Sequence, residues 1–516
     1  MGALKSATPT RRAGTRLHQR EMSATAQAPI PQSVHNVNDS DLPEGWVGAQ
    51  LGDCVEILDN LRVPVNSDER EKRKGSIPYY GATGQVGWID DYLFDEELLL
   101  LGEDGAPFLD KSKPIAYIIN GKSWVNNHAH VLRAICNLTS HQLLKYSLDV
   151  FDFSDYVTGT TRLKLNQSAM RNIPIALPPL EEQKRIVAKV EELLTQVNAT
   201  RDRLAKVLKI LKRFRQAVLA AACCGRLTLD WRKEHRDTES ALRFLRSLRV
   251  QDFPAGRGGK RTFGSGLSAS DDDITKGLPA NDEDSAILPD TWCWANLGKL
   301  ASVRRGRFLI RPRNDPRYFV GPYPFVQIGN LPPEGGLITS FDQTLNKKGL
   351  EVSRLFPAGT VLIAIVGATI GNTGVLGFES CCPDSLVAIQ GTSIAHSRFI
   401  EYYLRCKKHE IREESYASGG QPNINLQTLI PLAVPVAPAA ETNEIVRRVE
   451  ALFKLADAIE KWVEAATKRA DKLTQAILGK AFRGELVPTE AELARREGRT
   501  YEPASALLER IRKDGS

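Results

Sequence analysis

The stretch that decides the fold occurs twice: NIPIALPPLEEQKRIVAKVEELL spans 172–194, and LIPLAVPVAPAAETNEIVRRVEALF spans 429–453. The two copies align first at an offset of 257 residues (430 − 173). After a two-residue insertion the offset is 259 (445 − 186), and it persists as far as Gly225 and Gly484. A match of this length and separation indicates a tandem duplication rather than the short period of a solenoid.

A weaker repeat lies upstream of each copy. The segment LPEGWVGAQLG (42–52) resembles LPDTWCWANLG (288–298), at an offset of 246 residues (288 − 42). We call these two segments the heads, and we call the residues between each head and its repeated helix the first body and the second body. The bodies share little sequence, so each copy joins a repeated frame to a body of its own.

Each repeated segment continues as a predicted long helix. Apolar residues recur at alternating steps of three and four, the heptad pattern of helices that pack on one another. Pro178 and Pro179 suit the start of the first helix, and Gly225 and Gly484 suit the two ends. A helix of about 40 residues is about 60 Å long, more than a small domain can cover, so we expect the two to pack together. The residues expected in this contact are Ile186, Val190, Leu193, Val197, Leu204, Leu211, Ile445, Val449, Leu452, Ile459, Val463, Leu473 and Ile477.

Composition and charge narrow the class of protein. The 516 residues suggest about three domains, and the net charge of +7 permits a polyanionic partner without requiring one. There is no apolar run of transmembrane length, no apolar segment typical of a secretory signal, and no C-x-x-C pair among the eight cysteines. We therefore expect a cytoplasmic protein with reduced thiols, no membrane association and no metal site.

The predicted fold class is α+β, with two globular domains and two long helices. Short apolar runs separated by Gly and Asn-Gly predict strands and tight turns in both bodies, and each body also contains a helical pattern. The predicted domains are a disordered tail (1–40), the first body (41–178), a long helix (179–228), a linker (229–285), the second body (286–435), a second long helix (436–487) and a C-terminal tail (488–516).

Signatures of catalysis are missing from the sequence. The segment NGKS (120–123) resembles the end of a Walker motif but lacks the required upstream glycine. The segment NLPPE (330–334) does not match the Asn-Pro-Pro-aromatic motif expected for methylation of base amino groups. His128 and His130 form one isolated pair, which is weak support for a metal. The sequence therefore predicts no catalytic residues and no metal ligands.

Three polar segments suit contact with nucleic acid. Each body ends in a polar loop, TGTTRLKLN (158–166) in the first and SGGQPNINL (418–426) in the second. The second body also contains RRGRFLIRPR (304–313), in which five arginines surround Phe308. Arginines in this pattern suit phosphate contact and bidentate reading of guanine. The alternatives are ordinary loops and a solvated charged face.

Taken together, the duplicated frame, the dissimilar bodies and the absence of a catalytic site resemble one family closely. The segments that carry the resemblance are IPYYGATGQVGWIDDYLF (77–94), the run from GTTRLKLN to KVEELL (159–194), GGQPNINLQTL (419–429) and QAILGKAFRGELVP (475–488). They resemble the specificity (S) subunit of type I restriction–modification systems, over about residues 41–490. The second helix start, VAPAAETNEIV, is looser than the PPLEEQK form of the first.

This resemblance implies a function. Each body would be a target recognition domain that reads one half of a split, asymmetric site in double-stranded DNA. The long helices would pack antiparallel as a spacer, and the pseudo-two-fold frame would dock two adenine methyltransferase subunits and, through them, restriction subunits. The chain itself would be noncatalytic and hold no cofactor, with S-adenosylmethionine on the methyltransferase and ATP and Mg on the restriction subunit.

Candidate DNA contacts follow from the polar segments and the resemblance. Tyr79 and Tyr80 could instead be core aromatics, and Gln327 could be an ordinary strand residue. The candidates are Tyr79, Tyr80, Thr83, Thr160, Thr161, Arg162 and Lys164 in the first body, and Arg304, Arg305, Arg307, Gln327, Asn330, Thr369 and Gln421 in the second.

Two other functions remain open from the sequence. The long helices alone would equally suit a generic coiled-coil arm, so the chain could be a scaffold whose two bodies bind proteins. A nuclease or methyltransferase fused to recognition domains is the other alternative, and the missing motifs argue against it.

Overall fold

The computed structural model describes residues 41–110, 113–247, 288–417 and 424–514. The predicted disordered tail, residues 248–285 of the predicted linker, and Gln421 lie outside the described residues. The chain forms two compact units, one made of the residues up to Ala199 together with those from Arg469 onwards, and the other made of Thr200–Lys468. Each unit therefore holds one body, the beginning of one long helix and the end of the other.

The described residues up to 247 contain the first body and the first long helix. The helices are α1 (Leu51–Cys54), α2 (Ser67–Lys72), α3 (His141–Val150), α4 (Gln167–Arg171), α5 (Leu180–Cys223), α6 (Leu229–Glu234) and α7 (Ala241–Ser247). The strands are β1 (Val47–Gln50), β2 (Val55–Ile57), β3 (Ile77–Gly81), β4 (Gly84–Ile89), β5 (Phe94–Asp95), β6 (Leu98–Gly102), β7 (Ala116–Ile119), β8 (Lys122–Val125), β9 (Ala129–Ala134), β10 (Val157–Thr158), β11 (Lys164–Leu165) and β12 (Pro174–Leu177).

The described residues from 288 onwards contain the second body and the second long helix. The strands are β13 (Cys293–Asn296), β14 (Ala301–Arg305), β15 (Phe319–Phe325), β16 (Leu337–Ile338), β17 (Gln343–Leu345), β18 (Leu355–Phe356), β19 (Val361–Ala364), β20 (Thr373–Leu376), β21 (Ser380–Cys381), β22 (Leu386–Gly391) and β23 (Ala433–Val436). The helices are α8 (Leu297–Leu300), α9 (Lys347–Glu351), α10 (Ile394–Cys406), α11 (Lys408–Ala417), α12 (Leu426–Leu429), α13 (Ala439–Ala481), α14 (Glu490–Glu497) and α15 (Ala504–Asp514).

The two bodies have the same strand order although their sequences differ. One sheet runs β2-β9-β6-β7 in the first body and β14-β22-β19-β20 in the second, where β16 adds a fifth strand. The other sheet runs β4-β3-β8-β5 in the first body and β17-β15-β21-β18 in the second. In both of these latter sheets the two central strands are parallel. The predicted α+β fold is confirmed, and the duplication extends through the bodies.

The repeated heads and the ends of the bodies pair as strands. β1 pairs antiparallel with β12, with Val47 opposite Leu177, and β13 pairs antiparallel with β23, with Cys293 opposite Val436. These partners correspond at offsets of 246 (293 − 47) and 259 (436 − 177), so the offset of 259 already holds within β12 and β23, and the sequence alignment of this stretch at 257 is wrong. The head and the start of the repeated helix are thus similar in both copies because each pair forms one structural element.

A buried carboxylate lies at the start of each long helix. Trp46 Nε1 donates to Glu182 Oε1 at 2.9 Å, and Trp292 Nε1 donates to Glu441 Oε2 at 2.8 Å. Both glutamates are fully buried. Burial raises the pKa of Glu182, and the hydrogen bonds from Trp46 and from the Glu490 N–H oppose that rise. We call each of these arrangements a Trp–Glu junction.

Each junction also holds the chain that follows the other long helix. In the first unit, the Glu490 N–H donates to Glu182 Oε2 at 2.8 Å. In the second unit, the Thr228 hydroxyl donates to Glu441 Oε1 at 2.6 Å, and Arg232 donates to the same oxygen. One buried carboxylate therefore joins a head, the start of one helix and the segment beyond the end of the other.

The glycines that end the helices are required beside these junctions. Gly225 and Gly484 have positive φ angles of +74° and +70°. A Cβ atom on Gly225 would lie 2.5 Å from Pro289 Cγ, and one on Gly484 would lie 2.5 Å from Pro43 Cγ. The prolines belong to the heads, so each helix ends where only glycine leaves room for the head.

Opposite ends of the two long helices pack together in each unit, which confirms the predicted antiparallel arrangement. In the first unit, Val190 near the start of α5 shares a hydrophobic cluster with Ile477 near the end of α13. In the second unit, Val218 near the end of α5 shares a cluster with Val449 near the start of α13. Arg215 Nη2 also lies 2.7 Å from both Asp457 and Glu460.

One predicted packing residue differs from the rest. Leu473 is 51% exposed and is not part of the helix contact. Ala470 and Ile477, three residues before it and four residues after it, are buried, so the outward position of Leu473 is local to this turn. The buried members are Ile186, Val190, Val197, Leu211, Ile445, Val449, Val463 and Ile477, and the partly buried members are Leu193, Leu204, Leu452 and Ile459.

Regular structure continues past the end of each long helix. Residues 229–247 begin the predicted linker but form α6 and α7, and Leu245 is buried in the core of the second unit. The predicted C-terminal tail forms α14 and α15, and Leu507 and Leu508 are buried in the core of the first unit. Apolar residues at helical spacing explain both cases. In the predicted linker, the Gly- and Ser-rich composition begins only after α7. The exact domain boundaries stay predictions.

We expect Glu182→Gln to lower the free energy of unfolding by about 1–3 kcal/mol, because its amide nitrogen would face the Glu490 N–H without an acceptor. Glu181→Gln is the matched control, since Glu181 is exposed and forms an ion pair with nearby Lys184. That exposed pair should contribute less than about 1 kcal/mol. Urea unfolding followed by far-UV circular dichroism measures both variants. Equal midpoints for the two variants would show that the junction does not stabilise the unit.

Candidate nucleic-acid interface

In the first body, the predicted contact loop is held against the turn after β6. The Gly105 N–H donates to the Leu163 carbonyl at 3.0 Å, and the Leu165 N–H donates to the Glu103 carbonyl at 2.8 Å. Asp104 and Lys164 form an isolated antiparallel bridge. Main-chain bonds thus fix the position of the loop, and its side chains Thr160, Thr161, Arg162 and Lys164 are exposed, as is Thr83 in the β3–β4 turn.

The cations of this loop are paired with two acids that sequence reasoning missed. Arg162 Nε lies 2.6 Å from Asp104 Oδ1, and Lys164 Nζ lies 3.2 Å from Glu103 Oε1. His128 Nδ1 lies 3.5 Å from Asp104 Oδ2. The signal that could have found the acids is the Glu-Asp pair between Gly102 and Gly105, where β6 ends. Any phosphate or base that contacts Arg162 must compete with Asp104.

A network of buried charged groups supports the loop from below. His130 is 1% exposed, and its Nδ1 and Nε2 lie 2.6 Å from Asp59 Oδ2 and 2.9 Å from the Leu165 carbonyl oxygen. Arg62 Nη1 lies 2.6 Å from Glu103 Oε2. Burial opposes ionisation of Asp59, but the hydrogen bond from His130, the Val131 N–H and the charge of Arg62 together lower the pKa of Asp59.

This network contains the one metal-ligating group found among the described residues, formed by Asp59, Glu103 and His130. Both nitrogens of His130 already have partners, and Glu103 contacts Arg62 and Lys164. The guanidinium of Arg62 therefore supplies the positive charge between the carboxylates. We interpret the group as support for the loop.

The two tyrosines of β3 lie in different environments. Tyr79 is 1% exposed, and its hydroxyl is hydrogen-bonded to both the N–H and the carbonyl of Val65. The prediction of Tyr79 as a DNA contact is therefore wrong, because β3 is an inner strand and every second side chain points into the core. Tyr80 is partly buried, and its ring centroid lies 6.0 Å from that of Tyr117.

An open polar cavity lies beside the same loop. Its volume is about 380 Å³. His128 lines the cavity and also contacts the loop, where its Nδ1 lies 3.5 Å from Arg162 Nη2. Sequence reasoning considered His128 only as half of a metal pair. The other polar residues of the lining are Asn66, Glu69, Arg70, Asn126 and Asn127.

The arginine-rich segment of the second body begins at the end of β14. Arg305 is exposed, and its Nε donates to the Asp384 carbonyl oxygen at 2.6 Å. Arg313 Nη2 lies 2.7 Å from Asp384 Oδ1, and Arg311 Nη2 lies 3.5 Å from Asp384 Oδ2. Asp384 thus holds one part of this basic segment.

A further arginine, Arg354, contacts the remaining part of the arginine-rich segment. Arg354 Nη1 donates to the Arg305 carbonyl oxygen at 3.0 Å. Burial and the positive charges of Arg304 and Arg307 lower the pKa of Arg354. Sequence reasoning missed Arg354 because it stands alone in SRLF (353–356), about 50 residues (354 − 304) from the arginines that it approaches.

The other candidates of the second body form separate contacts. Gln327 precedes a short 3₁₀ helix, so it is not a strand residue, and its Nε2 donates to Gln343 Oε1 at 2.7 Å. Asn330 Nδ2 donates to Asp342 Oδ2 at 2.8 Å. The Thr369 hydroxyl donates to the Val366 carbonyl oxygen at 3.3 Å. No hydrogen bond among the described residues joins these three side chains to the arginines.

Membrane insertion finds no support in the described helices, because none combines the length and apolarity needed to cross a bilayer. The long helices carry charged residues along their exposed faces.

The arrangement as a whole is two bodies of one topology, each with exposed cations near polar side chains. In the first body acidic side chains pair with these cations. In the second body several of the cations form no ion pair with a carboxylate among the described residues.

Comparison with known proteins identifies the family. Residues 43–209 and 289–467 match the family described as type I restriction modification DNA specificity domain. The type I restriction enzyme EcoDI specificity subunit of Escherichia coli is 26% identical over 477 residues, covering 92% of this chain and 96% of that protein. The StySPI specificity subunit of Salmonella potsdam is 30% identical over 508 residues, covering 93% of this chain and 97% of that protein.

A solved structure supports the fold. A chain from work on complex assembly and conformational transition of the type I R-M system superimposes with a TM-score of 0.57. The match covers 86% of this chain and 99% of that chain at 18% identity. From the two matching regions and the relatives that align along nearly their whole length, we conclude that this chain belongs to the family of type I restriction–modification specificity subunits, the noncatalytic recognition components of these systems.

Proposed function

We propose that this chain recognises a bipartite, asymmetric site in double-stranded DNA and docks two adenine methyltransferase subunits, and through them restriction subunits. The observation that carries the proposal is the contrast between frame and bodies. In both Trp–Glu junctions a head tryptophan donates to a buried glutamate at a helix start, whereas the exposed cations of the two bodies differ in number and in pairing. A repeated frame with unlike contact surfaces suits two identical partners and two unlike half-sites.

The docking part of the proposal rests on the duplicated frame. Each copy offers the start of a long helix, its own head and the end of the other helix, so a partner that binds one copy finds a similar surface on the other. S-adenosylmethionine would bind the methyltransferase, and ATP and Mg would bind the restriction subunit. The chain would act in the cytoplasm, where bacterial DNA lies.

DNA contact would use the exposed cations of each body. Arg162 and Lys164 would exchange their carboxylate partners for phosphate or base acceptors in the first body, and Arg304, Arg305 and Arg307 would contribute in the second. Such contacts to phosphates fix the register, and side chains that reach base edges supply specificity.

Co-expression with the adenine methyltransferase from the same host tests the proposal directly. Sequencing of the host DNA should find one new methylated motif of two unlike halves separated by a fixed spacer. An assembled complex that methylates no such motif would favour the alternative of a scaffold that binds proteins.

Lengthening the helix pair should lengthen the spacer of the recognised motif. Seven residues inserted after Val207 and seven after Ala466, which correspond at the offset of 259 (466 − 207), preserve the heptad stripe in both helices. Each insertion adds about 10 Å, or about three base pairs of DNA. Methylome sequencing reads the spacer. An unchanged spacer would contradict the role of the helices, and insertion into one helix only is the control that should abolish methylation.

Arg162→Gln should weaken binding by about 1–3 kcal/mol and relax the sequence preference within one half-site, because one arginine contact to DNA is lost. The matched control is Arg510→Gln, since Arg510 is also exposed but pairs with Glu502 on the C-terminal segment. Competition binding with duplexes that vary one base pair at a time measures the preference. Equal base-preference profiles for the two variants would show that Arg162 does not contact DNA.

A further inference from the structure

Among the described residues of the second body, three arginines form no ion pair with a carboxylate, and we propose that these three, Arg304, Arg307 and Arg354, together bind one backbone phosphate of DNA. This inference rests on the proposed function, because it assigns a chemical group of the DNA to one part of that interface. It adds Arg354, which lies outside the basic run of the sequence, and it separates these arginines from those that have acidic partners.

Main-chain contacts bring the three arginines together. Phe308 forms an antiparallel bridge with Ser353, and the Ser353 hydroxyl donates to the Arg307 carbonyl oxygen at 2.8 Å. One residue farther along, Arg354 Nη1 donates to the Arg305 carbonyl oxygen at 3.0 Å. The segment 304–308 and the segment 353–354 are therefore neighbours with a fixed register. The Phe308–Ser353 bridge and these two hydrogen bonds hold Arg304, Arg307 and Arg354 in one small region of the second body.

The three positive charges lack a compensating negative charge. Burial and the positive charges of Arg304 and Arg307 lower the pKa of Arg354. Arg307 Nε is buried without a hydrogen-bond acceptor. In the part of the chain that the structure describes, no ion pair joins any of the three to a carboxylate. A bound anion would stabilise these half-buried positive charges.

The other arginines of the same segment provide the contrast. Asp384 lies 2.7 Å from Arg313 and 3.5 Å from Arg311. Among the described residues, no ion pair joins Asp384 to Arg304, Arg307 or Arg354. The segment divides into a neutralised part and a part that retains its charge.

A phosphate diester suits this arrangement better than a base edge. Its two free oxygens carry a full negative charge and can accept hydrogen bonds from several guanidinium groups at once. A guanine edge offers acceptors but no charge, so it would leave the repulsion between the arginines uncompensated. The site would therefore fix the register of the second body on DNA and contribute affinity that does not depend on sequence.

The test compares Arg354→Gln with Arg313→Gln in the assembled complex of the chain and its methyltransferase. Both variants remove one arginine charge from the same region, but Arg313 has Asp384 as its partner. Arg354→Gln should weaken binding about tenfold to cognate and to unrelated duplexes alike, and it should reduce the slope of log affinity against log salt by about one. Arg313→Gln should change both quantities much less. Thermal unfolding of each variant verifies that the second unit is folded.

Methylphosphonate substitution then identifies the phosphate. Each phosphate near the second half-site is replaced in turn by an uncharged methylphosphonate, and binding is measured with the unaltered chain and with Arg354→Gln. One position should weaken the unaltered chain and have no further effect on the variant. Independent, additive losses at every position would overturn the proposal, because the arginine and the phosphate would then not be in contact.

The outcomes separate this proposal from the proposed function. Sequence-specific binding that Arg354→Gln leaves unchanged would overturn the phosphate site and leave the function standing. Absence of specific DNA binding by the unaltered complex would contradict both the proposed function and the proposed phosphate site. In that case, a rise in thermal midpoint with inorganic phosphate, absent in Arg354→Gln, would reassign the three arginines to a free anion.

Discussion

The structure depends on a carboxylate buried at the start of each long helix. A glutamate without exposure to water needs several hydrogen-bond donors, and here the donors come from two other parts of the chain, a head and the segment beyond the other helix. Trp46 and Trp292 occupy equivalent positions in the two junctions. The same chemistry therefore closes both units, and a duplicated sequence can build the frame twice.

The two bodies attached to this frame have the same strand order but differ in their exposed surfaces. The inner residues of the sheets are apolar in both bodies, as packing of two sheets requires. The exposed ends of the strands carry the differences: the first body matches its cations with Asp104 and Glu103, and the second directs its acid, Asp384, at only part of its arginines. Recognition chemistry can thus vary without disturbing the elements that hold each unit together.

Sequence reasoning was most successful where the pattern is local or repeated. The duplication, the packing of the two long helices on each other and the α+β class follow from offsets and apolar periodicity, which depend on nearby residues or on direct comparison of two copies. The antiparallel direction of the helices was implied only by the family resemblance. It failed where the answer depends on pairing between distant segments. Burial of Tyr79 follows from the position of β3 inside its sheet, and the approach of Arg354 to Arg304 follows from a bridge across about 45 residues (353 − 308). The exposure of Leu473 is a local exception, because the stripe residues Ala470 and Ile477 on either side of it are buried.

The discontinuity of the first unit has a consequence for synthesis on the ribosome. The second unit is one uninterrupted stretch, Thr200–Lys468, whereas the first requires the residues up to Ala199 and those from Arg469 onwards. At about 5–20 residues per second, the intervening 269 residues (468 − 199) take on the order of tens of seconds to make. During that time Glu182 lacks the Glu490 N–H, and Ile186 and Val190 lack the apolar residues of the second helix. The nascent first half must therefore be protected from aggregation until the last residues of the chain emerge, and the half that is translated first is the last to be completed.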